Sequence, residues 1–168
     1  MDPNTHSTGR PDRLAALAAA VDGLAARDLD GVGDAALAER VMALRGLVDR
    51  LEGHWLEELA DLDARGAAGA DHGVQAGSTA GWLRARLRMG AGTAAGLVRT
   101  ARALYRGPLT ATAQALADGE LSVAHATVLA AGTQELPAHT TADAEPVLLD
   151  KLLDALRTTT DHPDPEDG

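Results

Sequence analysis

Residues 78–130 read STAGWLRARLRMGAGTAAGLVRTARALYRGPLTATAQALADGELSVAHATVLA, and their punctuation divides them into four short helices. Alanine and leucine dominate, which favours helix throughout. Ser78 or Thr79 caps the first helix, which carries Trp82, Leu83 and Leu87 and breaks at Gly90-Ala91-Gly92. The second runs from about Thr93 to Tyr105, with Ala94, Leu97, Val98, Ala101 and Leu104 on one face, and Gly107-Pro108 ends it. Thr110 opens a third helix to Asp118, Gly119 supplies a left-handed stop, and Ser122 caps a fourth through Ala131. Helix, short turn, helix therefore occurs twice, an arrangement like a helix-turn-helix pair.

On the N-terminal side, Asp34 is placed to cap a long helix reaching about Arg65. Its apolar residues Leu37, Val41, Leu44, Val48, Leu51, Trp55, Leu59 and Leu62 follow one another at steps of mostly four and three, the spacing of a coiled-coil-like seam. Such a helix spans roughly 45 Å. It either packs along the other helices as a spine or meets a partner chain, a homodimer being the simplest case. A shorter amphipathic helix is expected before it, from about Pro11 to Arg27, carrying Leu14, Leu17, Val21 and Leu24. Beyond the central stretch, Gly132 to Thr141 reads as a loop. A last helix begins at about Asp143, with Pro146 tolerated in its first turn and Leu149, Leu152, Leu153 and Leu156 apolar. No strand pattern occurs. The expected fold is all-α, a helical bundle of six or seven helices with one long spine helix and a helix-turn-helix-like pair. Residues 1–10 are expected to be disordered, 11–157 to form a single helical domain, and 158–168 to be a flexible acidic tail.

Composition narrows the function. At 168 residues the chain is long enough to bury a core without staples, and it has no cysteine, so disulfides and thiolate metal sites are excluded. The N-terminus has no apolar leader segment, which points to the cytoplasm, and no window is apolar enough for a membrane span. The net charge is −10, which argues against a protein that coats nucleic acid with its whole surface.

One segment reverses that sign. Between Gly73 and Ala117 there is no acid, and Arg84, Arg86, Arg88, Arg99, Arg102 and Arg106 stand there together. These six carry +6 of a total of −10, so the remainder of the chain sums to −16. Arg99, Arg102 and Arg106 fall on one helix face, and Arg84 and Arg88 lie one turn apart. Arginine forks bind phosphate oxygens and release counterions, so Arg84, Arg88, Arg99, Arg102 and Arg106 are candidate nucleic-acid contacts, with DNA as the possible partner. His125, in the first turn after Ser122, joins them as a phosphate or base contact, or else is a partly buried histidine satisfied by a neighbour. The competing reading is an arginine face neutralised by the long helix, which offers Asp49, Glu52, Glu57, Glu58, Asp61 and Asp63.

Catalysis requires an oriented nucleophile, paired carboxylates in a cleft, or a metal. The acids here fall on expected solvent faces, and no glycine-rich phosphate loop occurs. His54 and Glu58 lack a third ligand at useful spacing. No catalytic residue, metal, cofactor or small-molecule substrate is therefore expected. Trp55 and Trp82 read as core anchors.

The order GWLRARLRM, AAGLVRTARAL, LTATAQALADGELSVAHATVL, with LEELADLDARGAA at the end of the long helix, resembles the actinobacterial domain of unknown function 222, also called the 13E12 repeat family. The resemblance covers about Leu14 to Leu156. Trp82, Ala94, Ala101, Leu104, Leu116, Gly119, Ser122 and His125 stand at its signature positions. Two departures stand out. A serine cap with a glutamate three residues on is usual before the helix at Thr93, whereas this chain has Gly90 and Thr93. Members also commonly continue into an HNH nuclease domain with paired histidines, and no such motif follows Leu156. The resemblance thus implies a helical module that is not itself an enzyme and that binds or positions DNA. The alternatives are a structural or oligomerisation module, and the remnant of a mobile-element HNH endonuclease.

Overall fold

The computed structural model describes residues 12–26, 28–71, 73–74 and 76–160. Among them are seven α-helices and no strand: α1 (Arg13–Ala25), α2 (Asp34–Ala64), α3 (Thr79–Leu87), α4 (Ala91–Tyr105), α5 (Thr110–Asp118), α6 (Val123–Gly132) and α7 (Ala138–Thr160). Residues 1–10, expected to be disordered, and residues 161–168 of the expected flexible tail 158–168 lie outside the described residues, whereas residues 158–160 continue α7.

The chain divides into two compact units, Met1–Arg40 and Val41–Gly168, the boundary falling inside α2. In the first unit Asp12 caps α1 by accepting from the Leu14 amide, and no residue of α1 is buried. The cap of α2 is Gly33, whose carbonyl accepts from Leu37 at 2.9 Å. Asp34, the expected cap, is instead the first helical residue, where a carboxylate complements the positive end of the helix dipole.

In the second unit the core is aliphatic and small. Leu56, Leu83, Leu104, Leu109 and Leu116 are its largest sealed side chains, interleaved with Ala94, Ala101 and Ala126. α4 is its hub, packing against α3, α5 and α6, while α5 also packs on α6 and α7. The residues responsible are Ala94, Val98, Ala101 and Leu104, which recur at helical spacing on the buried face of α4 and present mostly small side chains, so neighbouring axes come close. α2 contributes Leu56, Leu59 and Ala60. It comes close to α5 at Gly53, where an added Cβ would stand 3.2 Å from Leu116 Cγ. The Tyr105 hydroxyl donates to the Gly53 carbonyl at 2.8 Å and fixes the same crossing from α4.

Local chemistry sets the boundaries of the central helices. Ser78 accepts from the Gly81 amide at 3.1 Å and starts α3. Gly119 ends α5 with φ 78°, and a Cβ there would lie 3.0 Å from Arg50 Cγ, so glycine is required both by conformation and by space. α4 begins two residues before the expected Thr93, with Gly90 as an N-cap that supplies no side-chain hydrogen bond.

The larger difference is α7. It starts at Ala138 rather than near Asp143, and Pro146 is inside the helix instead of in its first turn. Pro137 provides the physical reason: its carbonyl accepts the first helical bond, from Thr141 at 3.0 Å, and a proline immediately before a helix gives up no needed N–H. The early start brings Thr141 and Glu145 into the interior, 2% and 4% exposed.

Candidate functional site

The six arginines divide into two sets. Arg102, on α4, reaches Asp63 of α2 through Nε at 2.5 Å and a second nitrogen at 3.0 Å. Arg106 pairs with Asp61 one helical turn on. Arg86, at the end of α3, grips Asp71 in a two-pronged pair. Arg84, Arg88 and Arg99 are exposed and in no ion pair among the described residues. Arg88 is also off the helix: it is the left-handed C-cap of α3, with φ 55°, so it does not continue the face of Arg84.

Two of the paired aspartates, Asp63 and Asp71, are held in their charged form. The Arg102 guanidinium, helped by a hydrogen bond from Thr79, keeps the Asp63 carboxyl below the usual carboxylate range despite partial burial. Arg86 holds Asp71 well below it, aided by the Trp82 indole N–H at 2.8 Å and the Gly73 amide at 3.0 Å. Burial raises the Tyr105 phenol. Trp82 and Trp55 are partly buried and pack against the core, and the indole N–H of Trp82 is engaged by Asp71.

His125 is part of the α6 cap. Its ring Nδ1 stands 3.3 Å from the Ser122 amide, which donates to it, and 3.1 Å from the Ser122 hydroxyl, while the His125 amide donates back to that hydroxyl. The ring thus does at the third helical position what a glutamate does in the usual capping box.

A cleft of about 510 Å³ lies between α4, the end of α6 and the first turn of α7. Arg99, Arg102 and Arg106 line one side, Leu109 and Leu136 add apolar surface, and Thr141 faces in from α7. The common face expected for the three arginines is therefore present, and two of the three are already engaged by aspartates. No group of three or more His, Asp or Glu among the described residues is placed to hold a metal ion. No helix among them is long and apolar enough to cross a membrane.

Not all acids lie on solvent faces. Glu145 is 4% exposed and Asp49 is 7% exposed. Asp49 is covered by Arg45, whose Nε donates to it at 2.9 Å one turn away. Glu145 accepts from the Thr112 amide at 2.7 Å and so closes the N-terminus of α5, whose own N-cap residue, Leu109, has no side-chain acceptor. Sequence reasoning missed Glu145, Thr141 and Asp71. Pro146 and Gly73, beside them in the chain, speak of turns and helix starts, not of which helix end these side chains face.

A second surface is apolar. Val41, Leu44, Val48 and Leu51 of α2 are 57%, 39%, 43% and 45% exposed, although their spacing puts them on a single stripe. Met42 and Leu47 flank it, also exposed.

Residues 35–162 match the model of a family described as a domain of unknown function, DUF222. No curated protein and no solved structure matches the chain.

Proposed function

The chain belongs to the DUF222 family, and we propose that this helical module works by assembly, pairing with a second copy of itself through α2. The observation that carries the reading is the exposed stripe Val41, Leu44, Val48 and Leu51. A monomer gains nothing from holding four branched aliphatic side chains in heptad register towards water, since burying each contributes about 1.5–3 kcal/mol. Valine occupies the first position of each heptad and leucine the fourth, the combination that favours two parallel strands. Beside the stripe, Arg45 is held by Asp49 and Glu52, so the flank presents compensated charges to a partner rather than a like-charged row.

Equilibrium sedimentation tests this directly. Wild type should sediment as a dimer in the micromolar range, and Leu44→Lys/Leu51→Lys should sediment as a monomer with unchanged helicity, because neither side chain supports the core. A strictly monomeric wild type overturns the reading.

A DNA-contacting face is the second reading. It is favoured by Arg84, Arg88 and Arg99, exposed and in no ion pair among the described residues, on a segment without acids. The resemblance to proteins coupled to HNH nucleases gives it a biological setting. Duplex binding followed by fluorescence anisotropy should weaken steeply as salt rises and weaken again in Arg84→Ala/Arg88→Ala. Absence of binding at low salt removes this reading and leaves assembly standing.

A further inference from the structure

We infer that the cleft between α4, α6 and α7 is a binding site for a small phosphomonoester, its phosphate seated at the N-terminus of α7 and its apolar body against Leu109 and Leu136. This goes beyond the assembly reading and involves a different surface.

Four observations converge. Arg99 lines the cleft and is in no ion pair among the described residues, so a mobile fork is available to an incoming oxyanion. The amides of Ala138, His139 and Thr140 form the first turn of the 23-residue helix α7, and no side chain among the described residues accepts from them. They are free donors at the positive end of a long helix dipole.

The third observation is Thr141. It is 2% exposed and lines the cleft, yet its hydroxyl makes no hydrogen bond to any described residue. The other threonines of the wall are satisfied: Thr100 meets Thr127 at 3.2 Å, and Thr133 donates to the Leu129 carbonyl at 2.8 Å. A residue this buried ordinarily satisfies its polar groups, and the cleft that Thr141 lines is where a ligand would supply the partner. Fourth, Arg102 and Arg106 line the same cleft but are tied back to Asp63 and Asp61. Their guanidiniums are thereby compensated and held back, which leaves the fork of Arg99 as the one offered to a ligand by this face of α4.

Size and lining select the ligand class. About 510 Å³ lies within the range of small-molecule sites, and Pro108, Leu109 and Leu136 give the lining apolar surface. An anion with an apolar body fits better than bare phosphate. The phosphate could come from a free monoester or from the terminal phosphate of a nucleic-acid strand, and the probes below separate these.

The test is a titration of the full chain with inorganic phosphate, phenyl phosphate and a 5′-phosphorylated trinucleotide, read by calorimetry and by amide NMR shifts. Phenyl phosphate should bind more tightly than inorganic phosphate and should shift the amides of Ala138, His139 and Thr140. Arg99→Gln and the isosteric Thr141→Val should each weaken it by about tenfold, the scale of one lost charged or buried hydrogen bond. Arg84→Ala/Arg88→Ala and Leu44→Lys/Leu51→Lys should leave it unchanged, so failure of the DNA or assembly readings is not mistaken for failure of this one. Tighter binding of the trinucleotide, with the same amide shifts and the same loss in Arg99→Gln, keeps the site and assigns the phosphate to a strand end. Binding that leaves the α7 amides unshifted, or that survives both variants, overturns the proposal, as does no binding of any probe at millimolar concentration.

Discussion

Leu116→Ala should lower the free energy of unfolding by about 3–5 kcal/mol, the upper part of the range for leucine truncation in a core. Leu116 is 0% exposed on α5, and the residue it meets on α2 is Gly53. Gly53 has no side chain to relax into a cavity opened there, and the cost rises with the volume left empty. The crossing is also fixed by the Tyr105 hydroxyl on the Gly53 carbonyl, which resists collapse of α2 towards α5. Urea unfolding followed by circular dichroism measures the effect. Gly53→Ala supplies the control. In wild type the new methyl meets Leu116 Cγ at 3.2 Å and must displace it, whereas in the Leu116→Ala background the same methyl enters free space and adds the helix propensity of alanine, about 1 kcal/mol. The double variant should therefore be more stable than Leu116→Ala alone. Additive losses would mean that the two residues do not share one packing site.

The parts of the fold governed by neighbouring residues were legible in the sequence. Ser78, Gly119 and Ser122 each act on amides or carbonyls within a few positions, and α3, α5 and α6 start or stop where those residues stand. The start of α7 was not legible from the same rules. Two prolines nine residues apart each offer a helix start, and local chemistry favours the later one, Pro146, because a proline in a helix interior leaves a carbonyl unpaired. Burial of Thr141 and Glu145 against the rest of the unit decides for the earlier one.

The arginine segment shows the same division. Its positive sign is a property of composition, but the neutralisation of Arg102 by Asp63, 39 residues away, depends on how α4 crosses α2. The sequence supplied Asp61 and Asp63 as possible partners and could not choose among six acids. Asp71 lay outside that set, in the small-residue loop, where only the position of α3 brings Arg86 and Trp82 onto it. The phosphomonoester cleft was hidden for a combined reason: it needs both the face of α4, which was legible, and the first turn of α7, which was not.

Glu145→Ala is the second large effect expected, a loss of about 2–4 kcal/mol: roughly 1 for the lost helix cap and the rest for a buried amide left without an acceptor. The Glu145 carboxyl is 4% exposed and accepts from Thr112, the third residue of α5. α5 has only nine residues and its N-cap position is Leu109, which has no acceptor to offer, so nothing local replaces the lost bond. Glu145→Gln keeps an oxygen at the same reach and should cost less than about 1 kcal/mol, which separates the hydrogen bond from the mere filling of space. Thr112→Val probes the same place from the other side. The Thr112 hydroxyl is buried with no hydrogen-bond partner among the described residues, so trading it for a methyl should be neutral or stabilising. Hydrogen exchange distinguishes a local from a global loss. If Glu145 serves as the cap of α5, the amides of Thr112 and Ala113 should lose protection in Glu145→Ala well before those of α4. Uniform loss across both helices would instead make Glu145 a packing residue of the whole unit, and the α5 to α7 contact would owe its strength to shape rather than to this single acceptor.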